Sequence, residues 1–215
     1  MHKMPNRNPS NRLLPLQRRH VVGAALAVPL LHGCTSSLPV ILGSQATPAA
    51  QARLRQSAEA HGIAAYPALR DINVSYAGQW RALIERLQPA LVDSGFRVSS
   101  QERLMPAQGL VAQTHNGPGG TKQVLRRAGR PNKGQGDVRV WFNGEEARDG
   151  ERLAAAALVA DGYALFLLGP LLLVGRDLPM ELGGTATVDG RSCDVLNVQL
   201  VPGLGFSSME RVALL

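Results

Sequence analysis

The sequence predicts an α+β domain in which an antiparallel β-meander packs on one long apolar helix. Short runs alternating apolar and polar residues, separated by tight-turn residues, fill positions 95–144. No helical crossover interrupts them, as a parallel sheet would require. Residues 153–168 are then almost continuously apolar, and strand-like runs resume after them.

The elements follow in order. Residues 51–61 read as a short helix ended by Gly62, and residues 71–76 as a strand with Ile72, Val74 and Tyr76 on one face. Leu83, Ile84 and Leu87 lie at helical spacing within residues 80–87, a run stopped before Pro89. Strands are expected over 96–99, 102–105, 109–114, 122–127 and 138–142, with breaks at 116–120, 129–136 and Asn143-Gly144. The apolar stretch 153–168 has two readings, a membrane span and a helix buried against the sheet. Asp161 within it and Gly169-Pro170 after it favour the buried helix, because a mid-span carboxylate is costly in lipid and the Gly-Pro pair cuts the segment short. Strands then cover 185–188, 193–201 and 211 onward, with Asp189-Gly190 as a hairpin turn. The sequence stops within a strand-like run, and a strand needs a partner on its open edge. A C-terminally truncated sheet is therefore part of the expectation, the missing portion continuing the same sheet.

Three regions are expected: a signal peptide at 1–33, a tether at 34–50 and a folded domain at 51–215. Lys3, Arg7, Arg12, Arg18 and Arg19 precede an apolar run over 21–31, and no acidic residue lies before Cys34. That run fits a signal core and is short of the roughly 20 residues a spanning helix needs. Leu31-His32-Gly33-Cys34 resembles a bacterial lipobox, with an aliphatic residue at −3, a small one at −1 and His32 as the departure at −2. The twin arginines followed by Val21-Val22 also resemble a twin-arginine export signal, so the export route stays open. An uncleaved anchor over 21–43 and ordinary cleavage near Ser44-Gln45-Ala46 are the alternatives to lipidation of Cys34. Thr35 after the cysteine, in place of aspartate, points by the same resemblance to the outer membrane, facing the periplasm. Residues 35–50, with Ser, Pro, Ala and Gly prominent, have the composition of a tether.

Five of the 23 basic residues lie before Cys34 and none of the 16 acidic ones does, so the formal charge of +7 falls by five to +2 beyond the leader. A nearly balanced domain removes the case for a nucleic-acid partner. The cluster around Arg126-Arg127 borders a Gly/Pro-rich stretch and reads as a solvated turn. With Cys34 assigned to lipid, Cys193 is left unpaired, to be buried or reactive; its strand-like surroundings favour a buried thiol, and no disulfide framework is expected. His61 and His115 are the histidines beyond the leader, neither at metal-ligand spacing, and His115 beside Asn116 reads as a surface residue. Gly117 to Lys122 lacks the order of a phosphate loop, and residues 203–208 lack that of a nucleophile elbow. Glu145, Glu146, Asp149 and Glu151 read as helix-start and loop carboxylates. No catalytic residue, metal site or cofactor is expected, and the chain does not read as an enzyme.

The layout of tether, early helix, long meander and apolar helix, with the strands at 138–144 and 188–195, resembles the LolA/LolB lipoprotein-localisation factors over most of residues 65–215. The resemblance implies a strongly curved antiparallel sheet, an incomplete barrel wrapped around the apolar helix, with a concave surface for acyl chains. A sheet so curved has more concave surface than one helix fills, and the remainder either packs side chains or admits a lipid. Trp141, Leu165, Phe166, Leu168, Leu171 and Leu173 are the candidates to line that space. The expected function is a lipid-anchored envelope protein holding a lipid or a lipoprotein acyl chain. The alternative is a structural or interaction lipoprotein with a filled core.

Overall fold

The computed structural model describes residues 45–129, 136–202, 204–207 and 210–215. All belong to one unit of the chain, Pro39–Leu215. The expected signal peptide, Cys34 and most of the tether lie outside the described residues. Helix α1 (Pro48–Ala60) begins inside the stretch expected to be tether, because Thr47 caps it: its Oγ1 accepts from the Ala50 N–H at 3.3 Å.

Six strands follow in an antiparallel meander whose spatial order is the chain order: β1 (Ile72–Ala77), β2 (Ser99–Met105), β3 (Leu110–Gly117), β4 (Gly120–Ala128), β5 (Gly136–Phe142) and β6 (Glu145–Glu146). The two strands expected over 96–99 and 102–105 are one, β2, since no turn residue interrupts its register from Ser99 opposite Asn116 to Met105 opposite Leu110. The short helices α2 (Ala82–Leu87) and α3 (Pro89–Val92) bridge β1 and β2. Asn143 and Gly144 turn β5 into β6 with φ of 51° and 88°, the paired positive values of a type I′ hairpin.

Helix α4 (Gly150–Leu173) crosses the inner face of this sheet. Asp149 caps it, accepting from the Arg152 N–H at 2.8 Å. Its sheet-facing stripe is small: Ala156 meets Val124 and Val140, while Ala160, Ala164 and Leu168 meet Leu104 and Val111. Gly169 adopts φ 41° and ψ −117°, so the expected stop is a kink followed by one further turn. Among the described residues no helix is long and apolar enough to cross a membrane.

Beyond α4 the strands β7 (Met180–Val188), β8 (Arg191–Leu200) and β9 (Glu210–Leu214) form a separate antiparallel sheet, with Asp189-Gly190 as the expected hairpin turn. It shares a core with α1 and the end of α4, built from Leu54, Leu173, Met180, Val198 and Phe206. The expected α+β class with an antiparallel meander holds, but the single, strongly curved half-barrel is corrected to two sheets of six and three strands, and the larger sheet neither closes nor curls strongly. An alanine stripe needs no deep wrapping. The far edge of the large sheet ends in β6, whose two residues offer little ladder to extend.

Three polar expectations are also corrected. His115 is buried rather than on a turn surface, because it points inward from β3. Arg126, expected in a solvated cluster, is buried on the inner face of β4. Cys193, expected to be buried, is a partly exposed free thiol.

Candidate functional site

The side of α4 turned away from the large sheet carries Leu158, Val159, Gly162, Leu165 and Phe166, which border a groove of about 800 Å³. Trp80 and Ile84 form one bank, Leu200, Phe206 and Val212 the other. Spacing explains the helix's share, since 158, 162 and 166 recur every four residues on one stripe. Phe166 is 80% exposed. Gly162 has no neighbour within 4 Å of where a β-carbon would stand, among the described residues. A mid-helix glycine costs about 1 kcal/mol relative to alanine, and close packing does not require it here. Its effect is to keep the groove wall low.

One end of the groove is polar. Arg97, 7% exposed, places its guanidinium 5.5 Å from the Trp80 ring and 5.0 Å from that of Tyr163. Its Nη2 donates to the Tyr163 hydroxyl at 2.6 Å. Tyr76 meets Tyr163 edge-on, ring centroids 5.3 Å apart. Tyr76, Trp80, Arg97 and Tyr163 also border a second pocket of about 200 Å³, completed by Ala77, Gly78, Gln79, Val98 and Ser100.

Behind this end the inner face of the sheet is unusually polar. Tyr76, Ser100, His115, Lys122 and Phe142 form one cross-strand row, and Val74, Glu102, Gln113, Val124 and Val140 the next. Ser100 Oγ and His115 Nδ1 share a hydrogen bond of 2.7 Å, and Lys122 is paired with Asp93. Burial, then the positive charges of Arg97 and Lys122, lower the His115 pKa to about 3. A ring this weakly basic is a poor proton acceptor at neutral pH. Burial pushes the Glu102 carboxyl up, partly offset by Gln113 and by the charge of Arg97. The side-chain polar atoms of Glu102 and Gln113 make no hydrogen bond within 3.5 Å among the described residues.

His115 makes the stability pH-dependent. Its folded pKa lies below the unfolded value near 6.5, so unfolding takes up a proton and stability falls as pH drops from about 6.5 toward 3. In denaturant titrations from pH 6 to 4, His115→Gln is expected to flatten the slope by about 1.4 kcal/mol per pH unit, the value for one proton. An unchanged slope would show that His115 is protonated in the fold.

Of the six residues expected to line a ligand space, Leu165 and Phe166 border the groove. Leu168 and Leu171 border a different, smaller cavity of about 240 Å³. Leu173 is fully buried in the core shared with the second sheet. Trp141 lies on the outer face of β5 beneath the Arg139 guanidinium, 4.8 Å from its ring centroid. Trp80, Ile84, Gly162, Arg97, Tyr76 and Tyr163 also line the groove, and the sequence alone does not mark them as site residues. The apolar spacing of residues 80–87 was the one visible signal for that bank. Among the described residues no group of three or more His, Cys, Asp or Glu side chains could hold a metal ion. The chain matches no protein-family model, no curated protein and no solved structure.

Proposed function

We propose that this chain is a lipid-anchored envelope protein, attached to the outer membrane through Cys34, that binds a hydrophobic ligand in the groove beside α4. The observation that carries the proposal is the groove itself. About 800 Å³ of largely apolar space falls within the usual range for small-molecule sites, roughly 300–1,000 Å³. A glycine in its wall and an exposed phenylalanine at its rim are costly placements that ligand contact would offset. An acyl chain is the proposed class of ligand, whether from a lipid or a lipoprotein. Native mass spectrometry of the membrane-extracted chain is expected to show a co-purifying lipid-sized adduct, and a neutral fluorescent hydrophobic probe to bind once per chain. A bare mass together with no probe binding would remove the proposal.

Leu83 and Leu87 favour a second reading, an interaction surface for another envelope protein. They are 65% and 53% exposed on α2 yet stand outside the groove. Anchoring is tested separately. Cys34→Ser is expected to abolish incorporation of labelled fatty acid and to move the protein from the membrane to the soluble fraction. Continued partition into membranes would argue for an uncleaved anchor instead.

A further inference from the structure

The groove and the pocket of about 200 Å³ share Tyr76, Trp80, Arg97 and Tyr163, so an apolar compartment adjoins one of mixed, more polar lining. That division is the outline of an amphiphile. Among the described residues bordering the smaller pocket, Arg97 is the one charged side chain, and its guanidinium carbon lies 5.5 Å from the Trp80 ring centroid and 5.0 Å from that of Tyr163. The Tyr76 hydroxyl, buried at the same junction, has no hydrogen-bond partner among the described residues. A buried hydroxyl without a partner costs about 1–3 kcal/mol, a cost that a ligand acceptor would remove. Ser100 supplies a third polar group on the pocket wall.

We infer that the groove's occupant is a fatty acid: a single alkyl chain along the Leu158, Gly162 and Phe166 stripe, with a terminal carboxylate at Arg97 and Tyr76. The inference rests on the hydrophobic-ligand function proposed above and names the head group. A carboxylate is planar and singly charged, matching one planar guanidinium, whereas a phosphate dianion calls for more positive charge than this pocket offers. Arg97 supplies the positive charge at this junction, and that charge, after burial, contributes to holding His115 neutral. Glu102 acts on the same junction with the opposite sign, since its charge, after burial, helps to raise the Tyr76 pKa, while burial shifts Glu102 itself upward.

The test compares dodecanoate, 1-dodecanol and dodecyl phosphate, titrated below their aggregation limits against the full chain. Dodecanoate is expected to bind at least tenfold tighter than dodecanol and tighter than dodecyl phosphate. Tyr76→Phe removes only the partnerless hydroxyl and is expected to weaken dodecanoate about fivefold to tenfold and dodecanol by less, a carboxylate being the stronger acceptor. Arg97→Gln is expected to erase the preference for the acid. If that variant also loses dodecanol, its fold is damaged and Tyr76→Phe alone decides. Equal affinity for acid and alcohol, or equal losses of both in Tyr76→Phe, would overturn the carboxylate assignment while leaving a hydrophobic-ligand groove intact. Tighter binding of dodecyl phosphate would also overturn it. Binding of none of the three would remove both proposals.

Discussion

Asp161→Ala is expected to destabilise the domain by about 3–5 kcal/mol, read as a shift of the urea midpoint at constant slope. Asp161 sits in the middle of α4, and its Oδ1 and Oδ2 accept from Nε and Nη2 of Arg126 on β4, at 3.1 and 3.2 Å. The Ser207 N–H donates to the same carboxylate at 2.7 Å, so one side chain joins the helix, the large sheet and the segment after β8. Both members of the ion pair are buried. Removing the acid takes the counter-charge from a buried guanidinium, whose Nη1 still donates to the Arg127 and Asp137 carbonyls, and the desolvation cost of that charge sets the size of the effect. The double variant Asp161→Leu with Arg126→Met should recover most of the loss, because an apolar pair of similar volume carries no buried charge. A loss below about 1 kcal/mol for Asp161→Ala would mean that the pair is hydrated in solution.

The same carboxylate shows how far the sequence could be read. Asp161 within the apolar run was reason enough to place the helix against protein rather than lipid, and the structure supplies its partner in Arg126. The hairpins β5–β6 and β7–β8 were legible for a local reason: Asn143-Gly144 and Asp189-Gly190 adopt the positive φ values their residue types allow. The polar inner face was not legible. Lys122, Val124 and Arg126 alternate inward on β4, but charged residues are so seldom buried that composition assigns them to solvent. His115 was misplaced for the same reason, its neighbour Asn116 being exposed while the ring turns in toward Ser100.

The groove was half legible. Residues 153–168 are apolar on nearly every side, so periodicity cannot separate the stripe that meets the sheet from the stripe left open. Leu165 and Phe166 fell on the open stripe, while Leu173 fell in the core beyond the kink at Gly169. The banks come from α2 and from the strands β8 and β9, distant in sequence from each other. Only the tertiary fold brings them together.

Gly162 gives the largest expected effect on binding. Its open side faces the groove, so Gly162→Trp should place an indole where the ligand's chain would lie. In the helix itself tryptophan is better tolerated than glycine by about 0.3–0.5 kcal/mol, so stability should hold or rise slightly. Loss of binding would then be a loss of space and not of fold. The decisive measurement is the titration of a neutral hydrophobic probe against the unsubstituted chain and Gly162→Trp, with thermal melts recorded on the same samples. A ligand groove beside α4 predicts at least a hundredfold weaker binding in Gly162→Trp at an unchanged or slightly higher melting temperature. Equal probe affinity in the two proteins, with equal melting temperatures, would contradict it.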